Sequence, residues 1–334
     1  MDKPSPHIAI AILNYNGRAL LEQYLPSVLD TTYANKSVWV IDNNSTDDSI
    51  AILNRKYPKV GLIKNEANYG FAEGYNKGLK DIQADYFVLL NSDVEVSPGF
   101  MQPVVQAMEA NATIAFAQPK MRWLRKPELF EYAGAGGGLI DKLGYPFCRG
   151  RIFESLETDL GQYNDSPFVF WASGACLFAR AKVFWELGGF YPFFFMHNEE
   201  IDLCWRAQNK GYKIMACGNS SVMHLGGASL QKENPRKTFF NFRNNLVMLA
   251  RNMPITRLLW VLPVRWVLDG FAAVRFLVKG ESGAAISVIK AWMAFAGWLL
   301  QNDKEKWPGI RGFKQLDGVS FESIVFKHFL GTKK

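Results

Sequence analysis

Three groups of residues in this 334-residue chain have the types and spacing to do chemistry. The first is Asn91-Ser92-Asp93, two oxygen donors at i and i+2. On an extended strand those positions share a face, so both side chains can approach one hard cation such as Mg²⁺ or Mn²⁺. The second is His197-Asn198-Glu199-Glu200-Ile201-Asp202, which follows the aromatic-rich stretch Leu187–Met196. Three carboxylates so close together read in two ways. They can open a helix, where acids favour the positive end of the dipole, or they can supply a general base whose pKa is raised by neighbouring charge and burial. The third is His224, after the apolar Ser221–Met223, which reads either as a satisfied core histidine or as a metal ligand.

These groups need elements to bring them together, and the first hundred residues supply an alternation. Ile8–Leu13, Ser37–Ile41, Val60–Ile63 and Tyr86–Leu90 are apolar, β-rich runs of the kind buried on both faces of a sheet. Between them, Arg18–Leu29 and a segment from about Phe71 to Lys80 have helical spacing. Ser45 or Thr46 is expected to cap a helix with Asp47 and Asp48 in its first turn, and Ser97-Pro98 to start another with proline at the first helical position. The β-α order predicts a mostly parallel sheet, in which ligands bind outside the carboxyl ends of the strands. The polar breaks fall at those ends: Asn14/Asn16, Asp42/Asn43, Asn65–Asn68 and Asn91/Asp93. Each alone is a turn; four on one edge make a site, where Asp42 could accept hydrogen bonds from a ribose or a base edge.

Composition narrows the partners. Hydrophobic residues make up 49% and charged residues 21%, which excludes a disordered chain. Residues 1–250 carry 25 Lys and Arg against 25 Asp and Glu, whereas residues 251–334 carry 13 against 6, so the whole net charge of +7 sits in the tail. Five of the ten tryptophans are there too: Trp260, Trp266, Trp292, Trp298 and Trp307. Cys148, Cys176, Cys204 and Cys217 are too sparse for a disulfide framework and read as buried thiols in a reducing compartment. The apolar run Ile8–Leu13 is too short for a signal-peptide core, which points to the cytoplasm. No P-loop is present, and no G-x-G-x-x-G follows the first strand, so a standard dinucleotide site is disfavoured. Gly134–Gly138 reads as a flexible loop.

Taken in order, the motifs resemble family 2 glycosyltransferases with the GT-A fold, especially the rhamnosyltransferase-like branch that builds bacterial surface polysaccharides. The matching pieces are Ile12–Gly17, Val40–Asp47, Asn65–Asn76, Leu89–Asp93, Trp171–Ala175, Gly188–Phe190 and Glu199–Arg206, spread over roughly residues 8–245. The resemblance implies an α/β fold of GT-A type: a Rossmann-like, mostly parallel sheet flanked by helices, with a C-terminal amphipathic helical appendage. It implies inverting transfer from a nucleotide-sugar donor, aided by a divalent cation, Mg²⁺ or Mn²⁺. Asn14, Asn16, Asp42, Asn43, Asn68 and Asn76 fall on its donor-nucleotide side. Asp93, with Asn91 and His224, falls on its metal site, and Trp171 and Ser173 on its acceptor side. Glu200, flanked by Glu199 and Asp202, matches its catalytic base. Two positions depart from the usual pattern: Asn91 stands where many members have Asp, and Glu200 where Asp is usual. The branch points to rhamnose as the sugar and to a lipid-linked saccharide as the acceptor. A sugar nucleotidyltransferase is disfavoured, because no Gly-rich, Arg-containing phosphate loop follows the first strand. A non-catalytic nucleotide-sugar-binding homologue, or a scaffold of an assembly complex, is the competing reading.

The chain divides, on this reading, into a catalytic domain of residues 1–250, closed by a helix over 236–252, and a helical tail of residues 251–334. Between Arg257 and Lys279 the charges Arg257, Arg265, Asp269, Arg275 and Lys279 fall on about a third of a helix circumference. Pro263 is expected to kink or restart that helix. Ser282–Leu300 is a second apolar helix, interrupted by Lys290. An amphipathic pair lying in the plane of the inner face of the cytoplasmic membrane is expected, with tryptophans and basic residues at the headgroups. The alternative is that the helices pack on the catalytic domain or pair two subunits. Nucleic acid is excluded as a partner, since the cations are interleaved with a wide apolar face.

Overall fold

The computed structural model describes residues 5–131, 134–153, 155–226, 234–301 and 311–329. The first four strands are β1 (Ile8–Asn14), β2 (Lys36–Asp42), β3 (Gly61–Lys64) and β4 (Tyr86–Asn91), with α1 (Arg18–Leu29), α2 (Ser49–Lys56) and α3 (Gly70–Leu79) between them. They pair in parallel in the order β3-β2-β1-β4, and Ile8–Ile12 is buried throughout because helices cover both faces.

Next come β5 (Val94–Val96), α4 (Met101–Ala110), β6 (Ile114–Trp123) and β7 (Lys126–Phe130). The short strands β8 (Gly138–Asp141), β9 (Pro146–Cys148), β10 (Arg151–Ile152) and β11 (Ser155–Leu156) follow. Then come β12 (Cys176–Arg180), α5 (Ala181–Glu186), α6 (Glu199–Asn209) and β13 (Lys213–His224). The main sheet continues from β4 as β12-β6-β13-β5, with β7 on β6, and β12 runs antiparallel to both its neighbours. The sheet is therefore mixed, parallel through β4 and interrupted by β12 beyond it. All four cysteines are buried free thiols.

Three local expectations change. Helix α2 starts at Ser49 rather than at Ser45 or Thr46. The Ser45 hydroxyl accepts from Asn14 Nδ2 and Asn16 N, and Thr46 N donates to Asn16 Oδ1, so both residues are tied to the β1 turn instead of capping a helix. Helix α4 starts at Met101, because Pro98 and Gly99 form a turn whose Pro98 carbonyl accepts from Thr32 N. The Gly134–Gly138 run is buried rather than a flexible loop. At Gly138 a Cβ would lie 2.2 Å from the Trp171 ring, so only glycine lets that indole close over the strand.

The tail is α7 (Pro235–Asn252), α8 (Ile255–Val278), α9 (Ser282–Leu300), β14 (Val319–Ser320) and α10 (Ile324–Phe329). Helix α8 runs unbroken through Pro263, which sits on its exposed side. Trp307 lies outside the described residues. The tail packs against the residues before it. Strand β14 joins β8 in the second sheet, ordered β11-β10-β9-β8-β14, and Ile324 N donates to Asp141 Oδ2.

The central charges of α8 face inward. Arg265 and Asp269 are 2% and 1% exposed. Arg265 Nη1 donates to Asn245 Oδ1 on α7 and to the Leu143 carbonyl, and Asp269 accepts from Tyr145 Oη and Trp292 Nε1. With those charges used for docking, the apolar arc faces out. Of nineteen large apolar side chains exposed among the described residues, thirteen lie on α8 and α9. Trp266 at 65% and Phe271 at 68% are typical. Helix α9 is long and apolar enough to cross a membrane. Its other face, however, including Ala284, Val288, Ala291, Phe295 and Trp298, is buried in the protein.

Candidate active site

The strand ends of β1, β2 and β3 carry a ladder of short polar side chains. Asn14 Nδ2 donates to Asp42 Oδ1 at 2.9 Å, and Asp42 Oδ2 accepts from Ser45 N at 2.8 Å. Asn43 Oδ1 accepts from Asn65 Nδ2, while Asn43 Nδ2 donates to the Gly70 carbonyl and to Asn68 Oδ1. Asn14, Asp42 and Asn43 are buried and hold the loops in shape; Asn16 and Asn68 are exposed at the lip. Tyr15, 51% exposed between Asn14 and Asn16, presents a ring there that the motif reading passed over. Asn76 has a different job. Its amide both donates to and accepts from the Phe190 backbone, at 2.8 and 2.9 Å, and so ties α3 to the Gly188–Phe190 corner instead of joining the strand-end ladder.

The expected metal residues meet by strand pairing, not by sharing one strand. Asn91 ends β4, and Asp93 lies in the turn after it, so the shared-face argument for the two does not describe this turn. Instead, β5 pairs with β13 so that Val94 faces His224, and Leu225 N donates to the Asp93 carbonyl. That register sets His224 Nε2 3.1 Å from Asp93 Oδ1. His224 Nδ1 lies 3.1 Å from Glu131 Oε2, a carboxylate that no spacing in the sequence connects to it. Burial works against the charged imidazole, but the Asp93 and Glu131 carboxylates beside its two nitrogens prevail and lift His224 to about 10, so a cation would bind there by displacing the proton on Nε2.

The acidic run does open a helix, α6, with Asn198 as N-cap in the left-handed region. Its carboxylates then diverge. Asp202 accepts from Arg206 Nε at 2.7 Å, Asn252 Nδ2 at 2.7 Å and Arg251 Nε at 3.3 Å. Burial opposes its charge, but the two arginines prevail and keep its pKa low. Arg206 in turn donates to the Leu187 and Gly189 carbonyls. Asp202 is thus engaged in binding α6 to α7, away from proton transfer. Glu199 and Glu200 have no such cations. Burial raises both, Glu199 further through the charge of Glu200, and Glu200 stands at about 7. An Oε2 atom of each is buried without a hydrogen-bond partner.

The loop before them is strained: Phe195, His197 and Asn198 have φ of 60°, 68° and 70°. Two helices hold it. The first amides of α3, Phe71 N and Ala72 N, donate to the Phe195 carbonyl. From the other side Asn244 Nδ2 lies within 2.7–2.9 Å of the Phe194, Met196 and His197 carbonyls. Arg243 Nη2 reaches the Phe193 and Phe194 carbonyls. The sequence marks Arg243 and Asn244 only as matching a family feature without a role, because a backbone clamp has no spacing signature; these contacts supply the role.

The metal turn and the glutamates converge on one segment. Asn91 N donates to the Ala175 carbonyl, and a Cβ on the adjacent Gly174 would stand 3.8 Å from Glu200 Cβ and 3.2 Å from the Phe71 ring. Glu131 and Glu200 both act on the buried Cys148 thiol, which burial pushes up to about 12. Trp171 and Ser173, expected on the acceptor side, are buried in this segment. Trp171 Nε1 donates to the Leu139 carbonyl, and Ser173 N donates to Gln118 Oε1.

A polar lip at parallel strand ends, beside a buried carboxylate pair and an acid–imidazole pair, is the architecture of a GT-A glycosyltransferase. Solved structures share that fold. This chain matches GalNAc-T7 with UDP, GalNAc and Mn²⁺ at a TM-score of 0.58 and 16% identity, over 74% of this chain and 48% of that one. It matches the mannosyltransferase PcManGT from Pyrobaculum calidifontis, in complex with GDP-Man and Mn²⁺, at 0.54 and 14%, over 89% and 88%. Residues 9–188 match Glycosyl transferase family 2, and the chain belongs to that family. It is a glycosyltransferase. A relative over most of its length is the N-acetylglucosaminyl-diphospho-decaprenol L-rhamnosyltransferase of Mycobacterium tuberculosis. The two are 24% identical over 286 residues, covering 80% of this chain and 91% of the relative.

Proposed function

We propose that this glycosyltransferase moves rhamnose from a nucleoside diphosphate to a hydroxyl of a lipid-linked saccharide, with inversion, at the inner face of the cytoplasmic membrane. The carrying observation is Glu200: a buried carboxylate with an unpartnered oxygen, held near neutrality, across Gly174–Ala175 from the Asp93/His224 pair. The sugar and acceptor rest on the mycobacterial relative's name.

Asp93 Oδ1 and His224 Nε2 converge at 3.1 Å, and no cluster of three or more metal-ligating side chains occurs among the described residues. One carboxylate and one imidazole suit a Mg²⁺ or Mn²⁺ that takes its remaining ligands from phosphate and water. When bound there, the cation would neutralise charge developing on the departing diphosphate. The protein does the rest. The lip of Tyr15, Asn16 and Asn68 receives the nucleotide, with the Tyr15 ring as a stacking surface for the base. The acceptor oxygen attacks the anomeric carbon as the bond to the diphosphate breaks on the opposite face, and its proton passes to Glu200 Oε2.

The outward arc of α8 and α9 supports a bilayer as the surface on which the acceptor is met. An apolar face of this extent, carrying Trp260 and Trp266 and flanked by exposed Arg275, Lys279 and Lys290, suits an in-plane seat among anionic headgroups. Incubation with a panel of nucleoside-diphosphate sugars and Mg²⁺ or Mn²⁺ tests the donor. Turnover of deoxythymidine-diphosphate-rhamnose is expected. Preference for another sugar would replace the donor assignment, and no turnover of any would favour a non-catalytic homologue.

A further inference from the structure

We infer that Glu131 is the positioning residue of the metal site: it fixes the ring of His224 so that Nε2 faces the cation beside Asp93. This rests on the proposed role of Asp93 and His224. Its geometry, however, belongs to three strands. In the β6–β7 hairpin Arg122 pairs with Phe130, and on the other edge of β6 Arg122 pairs with Met223 of β13. Because β7 is antiparallel and β13 parallel to β6, Glu131 falls opposite Met121 and His224 opposite Trp123, so β6 carries the two on its opposite edges and their side chains meet across it. The Glu131 backbone is pinned as its N donates to the Met121 carbonyl. Gly226, at φ +68°, leaves room for the carboxylate: a Cβ there would stand 2.6 Å from Glu131 Oε1. The other oxygen, Oε2, meets His224 Nδ1 at 3.1 Å.

The chemistry requires such a partner. An imidazole binds a metal through a nitrogen that carries no proton, so its proton must reside on the other nitrogen. In a buried site a proton on Nδ1 needs an acceptor; Glu131 Oε2 lies within ion-pair distance at 3.1 Å, and a small turn of the ring would bring the two into hydrogen-bond alignment. Asp93 alone favours the opposite arrangement, with the proton on Nε2 pointing at its own carboxylate. Glu131 and Asp93 contact opposite nitrogens of the ring, so Glu131 acts through His224, not on the cation. Carboxylates placed in this way typically contribute about 10–100-fold to metal affinity.

The test is Mn²⁺ binding, read from the electron paramagnetic resonance signal of free Mn²⁺ with the full chain and no sugar nucleotide. Wild type should bind, and Asp93→Ala should not. Glu131→Ala should bind about 10–100-fold more weakly, while Glu131→Gln, which keeps an acceptor oxygen for Nδ1, should recover most of the loss. Thermal melts without metal separate folding from binding. If Glu131→Ala lowers the melting temperature yet binds Mn²⁺ like wild type, the residue is structural and the inference fails. A loss as complete as that of Asp93→Ala, unrelieved by glutamine, would make Glu131 a direct ligand and also overturn it. Wild type that binds no Mn²⁺ would overturn the metal reading beneath it, an outcome distinct from the other two.

Discussion

His224 Nε2 lies 3.1 Å from Asp93 Oδ1 although the two residues are 131 positions apart, because a three-residue strand, β5, is laid against the end of β13. This contact brings the expected metal residues together. It joins the turn that ends the parallel half of the sheet to a strand from the half beyond β12.

Replacing either partner should therefore affect the cation before the fold. Asp93→Ala and His224→Ala are each expected to weaken Mn²⁺ binding and to lower transfer by two orders of magnitude or so, about 3 kcal/mol. Calorimetric titration of Mn²⁺ checks the first effect, and a melt without metal checks that the fold survives.

Glu200 carries two opposed predictions. As base it must be ionised, so kcat/KM should rise with pH through about 7 and level off above it. For stability the sign reverses. A carboxyl raised from 4.5 to about 7 on folding binds its proton more tightly in the folded state, so stability is fully present below 4.5 and is lost as pH rises through 7. Glu200→Gln should therefore melt about 2 °C or more above wild type at pH 8, and the gap should close at low pH. A lower melting temperature for the variant at pH 8 would contradict the buried, uncompensated carboxylate.

Asn244→Ala should release the clamp on the 194–197 carbonyls and leave buried acceptors unpaired. Destabilisation of about 1–3 kcal/mol is expected by denaturant unfolding, with kcat reduced more than donor affinity, since the clamp holds the loop that presents Glu200.

The outward face of α8 can be tested without removing it. Trp266→Glu with Phe271→Glu should abolish sedimentation with anionic vesicles and leave donor hydrolysis intact. Arg265→Leu should instead destabilise the whole chain, by about 3–5 kcal/mol, because it leaves Asp269 buried without its guanidinium. If the glutamate variant changes only the oligomeric state, the face is a contact between copies.

The parallel half of the fold was legible because its signals are local. Helix α1 occupies Arg18–Leu29 as its spacing predicts, and every strand from β1 to β4 ends at the polar residues that break its apolar run. What was illegible depended on pairing between distant strands. Glu131 reaches His224 only through the registers of β6, and β5 is too short to register as a periodic run. The carboxylates Glu200 and Asp202 look alike in sequence, but the partners that separate them, Arg251 and Asn252, arrive from α7. On α8 the charged sector was visible from spacing, while its direction was not. Periodicity says which residues share a face, and only Asn245 and Tyr145 show that its centre, Arg265 and Asp269, turns inward while Arg275 and Lys279 stay exposed.

The most direct test of the account is transfer itself. Full-length protein is given deoxythymidine-diphosphate-rhamnose, a polyprenyl-diphosphate-linked N-acetylglucosamine and Mn²⁺, and the lipid product is followed by mass spectrometry beside donor binding by calorimetry. Wild type should lengthen the acceptor by one deoxyhexose, and Glu200→Gln should bind the donor normally while forming product at least ~100-fold more slowly. Glu200→Gln that transfers at the wild-type rate would contradict the assignment of the base and, with it, the proposed mechanism.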